Sequence, residues 1–123
     1  TAMAKGAGAI VSNLFHHGKI NGILSLGGSA GTTIGTTAMQ ALPVGIPKVM
    51  VSTLASGDTS PYVQTKDITM VYSVVDIAGI NSITRQILTN AAGAISGMVQ
   101  AVSEPVKEKP LIAATMFGVT LCY

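Results

Sequence analysis

The sequence predicts an α/β domain built on a mainly parallel sheet with helices on both faces. Three observations carry that expectation. Segments with helical apolar spacing alternate with short apolar runs, two of those runs end in loops rich in Gly, Ser and Thr, and 123 residues suffice for one compact domain but not for two. The elements follow in order. Residues 1–17 place Met3, Ala7, Ile10, Val11 and Leu14 on one helical face, and Gly18 suits the position just past a helix end. "GILSLGG", residues 22–28, is a short apolar run cut off by glycine and reads as a buried strand. Thr32 or Thr33 then caps a helix running to about Leu42, with Ile34, Ala38 and Leu42 on one face, and Pro43 and Pro47 bracket the turn after it. "KVMVSTL", residues 48–54, is a second buried strand, followed by the small-residue loop "ASGDTSP". "ITMVYSVV", residues 68–75, is β-rich and supplies a third strand. Residues 81–102 form the longest helix, with Leu88, Ala91, Ile95, Met98 and Val102 in a helical stripe.

Residues 1–103 thus form one α/β unit, 104–110 within "SEPVKEKP" a linker, and 111–123 the start of a further segment whose "LIAATMFGV" reads as a strand. The chain opens on a helix with no leading strand and closes on a strand with no covering helix. A parallel sheet needs both faces covered, so the expectation is an incomplete fragment finished by another segment or subunit.

Composition narrows the function. Charged residues are only 10% of the chain against the ~25% usual for a soluble domain, and 48% are apolar, so much of the surface is expected to be buried. The net charge of +2 comes from scattered residues, and aromatics are 4%, so the clustered cations and stacking platforms of a nucleic-acid binder are missing. The single cysteine, Cys122, excludes an internal disulfide and a cysteine-rich zinc site, and with no visible signal peptide a cytoplasmic location is expected. Apolar stretches are interrupted at Asn13, Ser82, Asn90 and Gln100 well short of the ~20 residues a membrane span requires.

In an open parallel sheet ligands bind beyond the carboxyl ends of the strands. Two loops leave such ends here, Gly27 to Thr32 and Thr53 to Ser60. The first contains GGSAG, which fits the G-x-S-x-G elbow of hydrolases and equally suits a loop that wraps an anion with backbone N–H groups. As a nucleophile Ser29 needs a histidine base. The only histidines, His16 and His17, precede it, reverse the elbow order, and sit at a helix C-terminus that favours them electrostatically without any catalytic role. As a phosphate loop the stretch matches neither G-x-x-x-x-G-K-[ST] nor G-x-G-x-x-G, and a tight strand-to-helix turn needs glycine in any case. Asp58, Asp67 and Asp76 suit capping and turn roles more than ribose or metal-bridged phosphate contacts. Arg85 either reaches an anion or faces solvent, and Met39, Met50, Met70, Met98 and Met116 read as core packing.

Taken together, "GILSLGGSAGT", "VSTLASGD", "YVQTKDITMVYSVVDIAGIN", "NAAGAI" and "TMFGVT" resemble the N-terminal domain of the Tm-1-like (UPF0261) family across nearly the whole chain. The resemblance implies a Rossmann-like ATP-binding domain, joined in longer members to a C-terminal domain resembling a TIM barrel, and an opening strand that this chain lacks. It implicates Gly27, Gly28, Ser29, Gly31 and Thr32, with Thr53, Ser56, Gly57 and Asp58, as lining a nucleotide pocket. ATP, with Mg2+ as a companion ion, and a regulatory or protein-interaction role are the resulting expectations. An enzyme acting on a small phosphorylated or carboxylated metabolite, and a homodimeric assembly module, stand as alternatives.

Overall fold

The computed structural model describes residues 1–77, 79–101 and 103. Their order is α1 (Ala2–His16), β1 (Ile23–Gly27), α2 (Ser29–Gln40), β2 (Lys48–Ser52), α3 (Ser60–Val63), β3 (Thr69–Tyr72) and α4 (Ser82–Gln100). The three strands form one parallel sheet in the order β1-β2-β3, with Leu24 beside Val49 and Val51 beside Val71. This is the mixed α/β, parallel-sheet architecture expected from the sequence and is consistent with part of a Rossmann-like fold. The proposed linker at 104–110 and the strand at 111–119 lie outside the described residues.

Strand alternation sorts the core into two layers. Met50, with Ile23 and Met70, points toward Met39 of α2, and Ile68 and Val63 close that cluster. Val49, Val51 and Val71 point the other way, onto Ala91, Ile87, Leu88, Ile95 and Met98 of α4. Helices therefore cover both faces, and every residue of the central strand β2 is buried. Four of the five methionines expected in the core are found there: Met39 and Met50 are fully buried, and Met70 and Met98 pack against the two clusters, while Met116 lies outside the described residues.

α1 packs chiefly on α2. Small residues make that contact possible: Ala4 and Gly8 are buried, and a Cβ on Gly8 would sit 3.8 Å from Ala41 Cβ. The helix is opened by Thr1, whose hydroxyl accepts the Ala4 amide at 3.3 Å, and Gly18 at φ +65° turns the chain away from its other end. His16 and His17 close that end by donating from Nδ1 to the carbonyls of Ser12 (2.7 Å) and Asn13 (2.8 Å). A carbonyl only accepts, so each ring carries its proton on Nδ1. Both histidines thus finish a helix, as their position in the sequence suggests.

Three boundaries differ from expectation. α2 begins at Ser29 instead of after Thr32 or Thr33, so most of the first glycine loop is the opening turn of a helix. β3 is the shorter segment Thr69–Tyr72, because Val74 at φ +65° breaks the extended run of 68–75. The short α3, with Pro61 in its first turn, falls where the sequence reads as loop.

Candidate functional site

The carboxyl edge of the sheet is built from the ends of β1 and β2, which lie side by side with Gly27 opposite Ser52. Gly27 is the last strand residue and is directly overhung by the helix that follows. A Cβ there would lie 2.6 Å from Gly31 Cα and 2.8 Å from Gly31 C. Glycine is required by this close approach, and its effect is to let α2 start at once, with its N-terminus at the sheet edge.

That N-terminus is the main chemical feature of the edge. Gly28 is the N-cap residue, in extended conformation, and no side chain caps the helix. The first-turn N–H groups of a helix have no intrahelical partner and carry partial positive charge. Thr32 is the first residue to bond back, its amide donating to Gly28 O at 2.7 Å. Ser29 and Ala30 are exposed beside this turn, and no acidic residue occupies it. The arrangement favours an anion held by backbone groups, with the Ser29 hydroxyl available beside them.

The second loop meets the first at one place. Thr53 donates its amide to Gly27 O at 3.3 Å, and a Cβ on Gly28 would lie 3.6 Å from Thr53 Oγ1. Gly27, Gly28, Gly31, Thr32 and Thr53 are thus brought together, with Ser29 at the mouth. Thr32 is different in kind from its neighbours: it is fully buried, and its hydroxyl lies 2.6 Å from Ser52 Oγ and 3.3 Å from Gly27 O. It therefore holds the edge together from beneath. Ser52, also fully buried, receives the Leu54 amide at 3.0 Å. Sequence reasoning passed over it because a serine at the end of an apolar strand gives no local signal of a partner twenty residues away.

Ser56, Gly57 and Asp58 lie farther along the same loop, where their bonds are local. Gly57 donates to Leu54 O at 3.1 Å, and Asp58 accepts both the Ser60 hydroxyl (2.5 Å) and the Ser60 amide (3.0 Å). Those two bonds, the hydroxyl first, hold the Asp58 carboxyl below its ordinary range. It is an ionised carboxylate that starts α3. Asp67 and Asp76 also take structural roles, Asp67 pairing with Lys48 at 2.8 Å and Asp76 accepting the Ile77 amide at 2.9 Å. Arg85 is exposed on α4.

β3 contributes the third exit. Ser73 donates its amide to Ser52 O at 3.2 Å and its hydroxyl to Val75 O at 2.8 Å, while Val75 N returns to Ser73 O at 2.7 Å. Val74 sits at the apex of this three-residue turn with positive φ, a costly conformation for a β-branched residue. On the α4 face, Val51, Ser73, Ile77, Thr84, Ile87 and Leu88 line a cavity of about 10 Å³. That is room for one water and not for a base. Among the described residues no three of His, Cys, Asp and Glu converge on a metal site, and no helix is long and apolar enough to cross a membrane.

The comparisons with known proteins agree with the sequence resemblance. Residues 1–104 match the model of the N-terminal domain of an uncharacterised protein family, UPF0261. A UPF0261 protein of Clostridium tetani is 65% identical over 119 residues, covering 96% of this chain and 30% of that protein. A UPF0261 protein of Mesorhizobium japonicum is 54% identical over 101 residues, 82% of this chain and 25% of the relative. The ToMV resistance protein Tm-1(GCR237) of Solanum lycopersicum is 46% identical over 105 residues, 80% of this chain and 14% of the relative. The chain thus spans less than a third of the length of these relatives. With a family match over residues 1–104, this chain belongs to the UPF0261 family and carries its N-terminal domain.

Proposed function

We propose that this chain is the nucleotide-binding part, for ATP, of a cytoplasmic protein whose ligand serves a regulatory or protein-interaction role. The observation that supports the reading most is the uncapped N-terminus of α2 at the carboxyl edge of a parallel sheet, with Thr53 of the next loop beside it. Backbone N–H groups at Ser29, Ala30 and Gly31 take the phosphate oxygens, and the hydroxyls of Ser29 and Thr53 add donors. Magnesium would come with the nucleotide and offset the charge of its phosphates, since it retains several waters and needs few protein ligands. Ser56, Gly57 and Asp58 close the pocket from the second loop, with Asp58 suited to a ribose hydroxyl or a magnesium-bound water.

The test is thermal unfolding of the full-length protein with ATP or ADP. A melting temperature that climbs with nucleotide concentration is expected, because a ligand at a hundredfold its Kd adds about 2.7 kcal/mol to the folded state. An unchanged melting temperature at millimolar nucleotide removes the proposal. Replacing Ser29 with Ala should weaken binding only modestly, since the backbone supplies most of the contacts.

A second reading, assembly as a homodimer, is favoured by a different observation. Among the described residues β1 pairs with β2 alone, and Leu24 and Leu26 are 39% and 46% exposed on the face it shares with Val49 and Val51.

A further inference from the structure

Beneath the two loops, four groups form a chain of hydrogen bonds whose direction is fixed by their chemistry. The Leu54 amide can only donate, and it points at Ser52 Oγ at 3.0 Å. The Gly27 carbonyl can only accept, and Thr32 Oγ1 lies 3.3 Å from it. Between them Ser52 Oγ and Thr32 Oγ1 are 2.6 Å apart, and both residues are fully buried. Each hydroxyl has one hydrogen. Every group is satisfied when Leu54 N–H donates to Ser52, Ser52 donates to Thr32, and Thr32 donates to Gly27 O. In the reverse direction the Ser52 hydrogen has no acceptor on this path and Gly27 loses its hydroxyl donor. The same carbonyl also receives the Thr53 amide at 3.3 Å.

We infer that Ser52 and Thr32 are positioning residues of the nucleotide site, forming a buried one-way relay that fixes the second loop against the first turn of α2. This rests on the nucleotide reading proposed above. The relay ties three separate parts of the edge, namely the end of β1 at Gly27, the fourth residue of α2 and the loop after β2 at Leu54. Its two hydroxyls, on Thr32 and Ser52, are fully buried beneath the edge. Its role is to hold the α2 amides and Thr53 at a fixed spacing before the ligand arrives, which spares binding the cost of ordering them. In a dry interior such a chain is worth more when complete than its separate bonds, and breaking it at one point strands the groups on either side.

The experiment compares Thr32→Val, Ser52→Ala and Thr32→Ser with the unsubstituted full-length protein. Valine keeps the shape of threonine without its hydroxyl, whereas serine keeps the hydroxyl. Amide hydrogen exchange at Thr53 and Leu54 in the free protein, and ATP affinity by calorimetry, are both read. Thr32→Val and Ser52→Ala should speed exchange at these amides and raise the ATP Kd by about tenfold each, the effect of one lost buried hydrogen bond. Thr32→Ser should restore both to near the original values. Should Thr32→Val fail to fold, Ser52→Ala, which only removes an oxygen, decides the question. Unchanged exchange overturns the relay, and faster exchange with unchanged Kd overturns its positioning role. Absence of ATP binding by the unsubstituted protein instead removes the nucleotide reading, and the exchange measurements then decide alone whether the relay couples the loops.

Discussion

Lys48 spends all three of its ammonium hydrogens inside the protein. It is fully buried and donates to Pro43 O (2.7 Å), Ile46 O (2.7 Å) and Asp67 Oδ1 (2.8 Å), while Asp67 Oδ2 accepts the Gly45 amide at 2.7 Å. The pair locks the amino ends of β2 and β3 to the turn before β2, at the opposite end of the sheet from its carboxyl edge. Partial burial pushes the Asp67 carboxyl up, but the bonds from Lys48 and Gly45 outweigh it and leave the group below its ordinary range. A carboxyl depressed on folding stabilises the protein above its unfolded value of about 3.9, and the benefit is lost as pH falls through the folded value. Asp67→Asn should cost about 1–2 kcal/mol at neutral pH, at the low end for a bond to a buried charge, because the Asp67 side chain is 40% exposed and Lys48 keeps two carbonyls. The difference should shrink as pH falls below about 4 in urea unfolding curves. A gap independent of pH would show that the ion pair does not titrate with folding. None of this was legible in the sequence. Lysine opening an apolar run looks like a strand end facing water, and its partner lies nineteen residues on.

At the scale of the element, α2 shows what a local reading catches and what it misses. Its existence follows from the apolar spacing of Ile34, Ala38 and Leu42, but its start does not. Two adjacent threonines look like caps, whereas the structure begins the helix after an uncapped glycine, which sends no signal of its own. α4 is the reverse case. The Asn81 side chain accepts the Ile83 and Thr84 amides and Thr84 reaches back, a capping box that puts the start where the sequence suggested. Gly35 shows why α2 seats so closely on β1. A Cβ there would collide with Ser25 Oγ, lie 2.9 Å from Ser25 Cβ and 3.0 Å from Met50 Sδ. Alanine gains about 1 kcal/mol of helix propensity over glycine, but overpacking against a strand residue costs up to about 3 kcal/mol. Gly35→Ala should therefore destabilise by about 1–2 kcal/mol net, and Ser25→Gly in the same chain should recover most of the steric part. Chemical denaturation of the single and double variants measures this, and a stabilised single variant would show that the helix lifts without cost.

For the molecule as a whole, sequence reading recovered the class of fold and the strand-end location of the glycine loops, since both depend on periodicity and on where glycine interrupts it. It could not tell which hydroxyls face a ligand. Ser29 is exposed at the open first turn of α2, whereas Thr32, one turn on along nearly the same side, is buried against Ser52 at the end of β2. The exposure of Leu24 and Leu26 on β1, with Met3 (73%), Ile10 (63%) and Leu14 (37%) along α1, leaves apolar surface on two sides of the molecule. Among the described residues one edge of β1 has no partner strand, and an open edge with such flanks invites association. Sedimentation of this 123-residue chain should show self-association that Leu26→Lys reduces; a monomer at high concentration would argue against the assembly reading.

The strand order β1-β2-β3 follows the chain, and both pairings join strands that are consecutive in sequence. Among the described strands none has to enter between two that are already paired. The sheet can therefore grow during folding by adding one β-α unit at a time to an existing edge, each step closing a loop of similar and modest length. A polypeptide emerging from the ribosome could complete β1, α2 and β2 before α4 has been made, and α4 would then arrive to seal the face left bare.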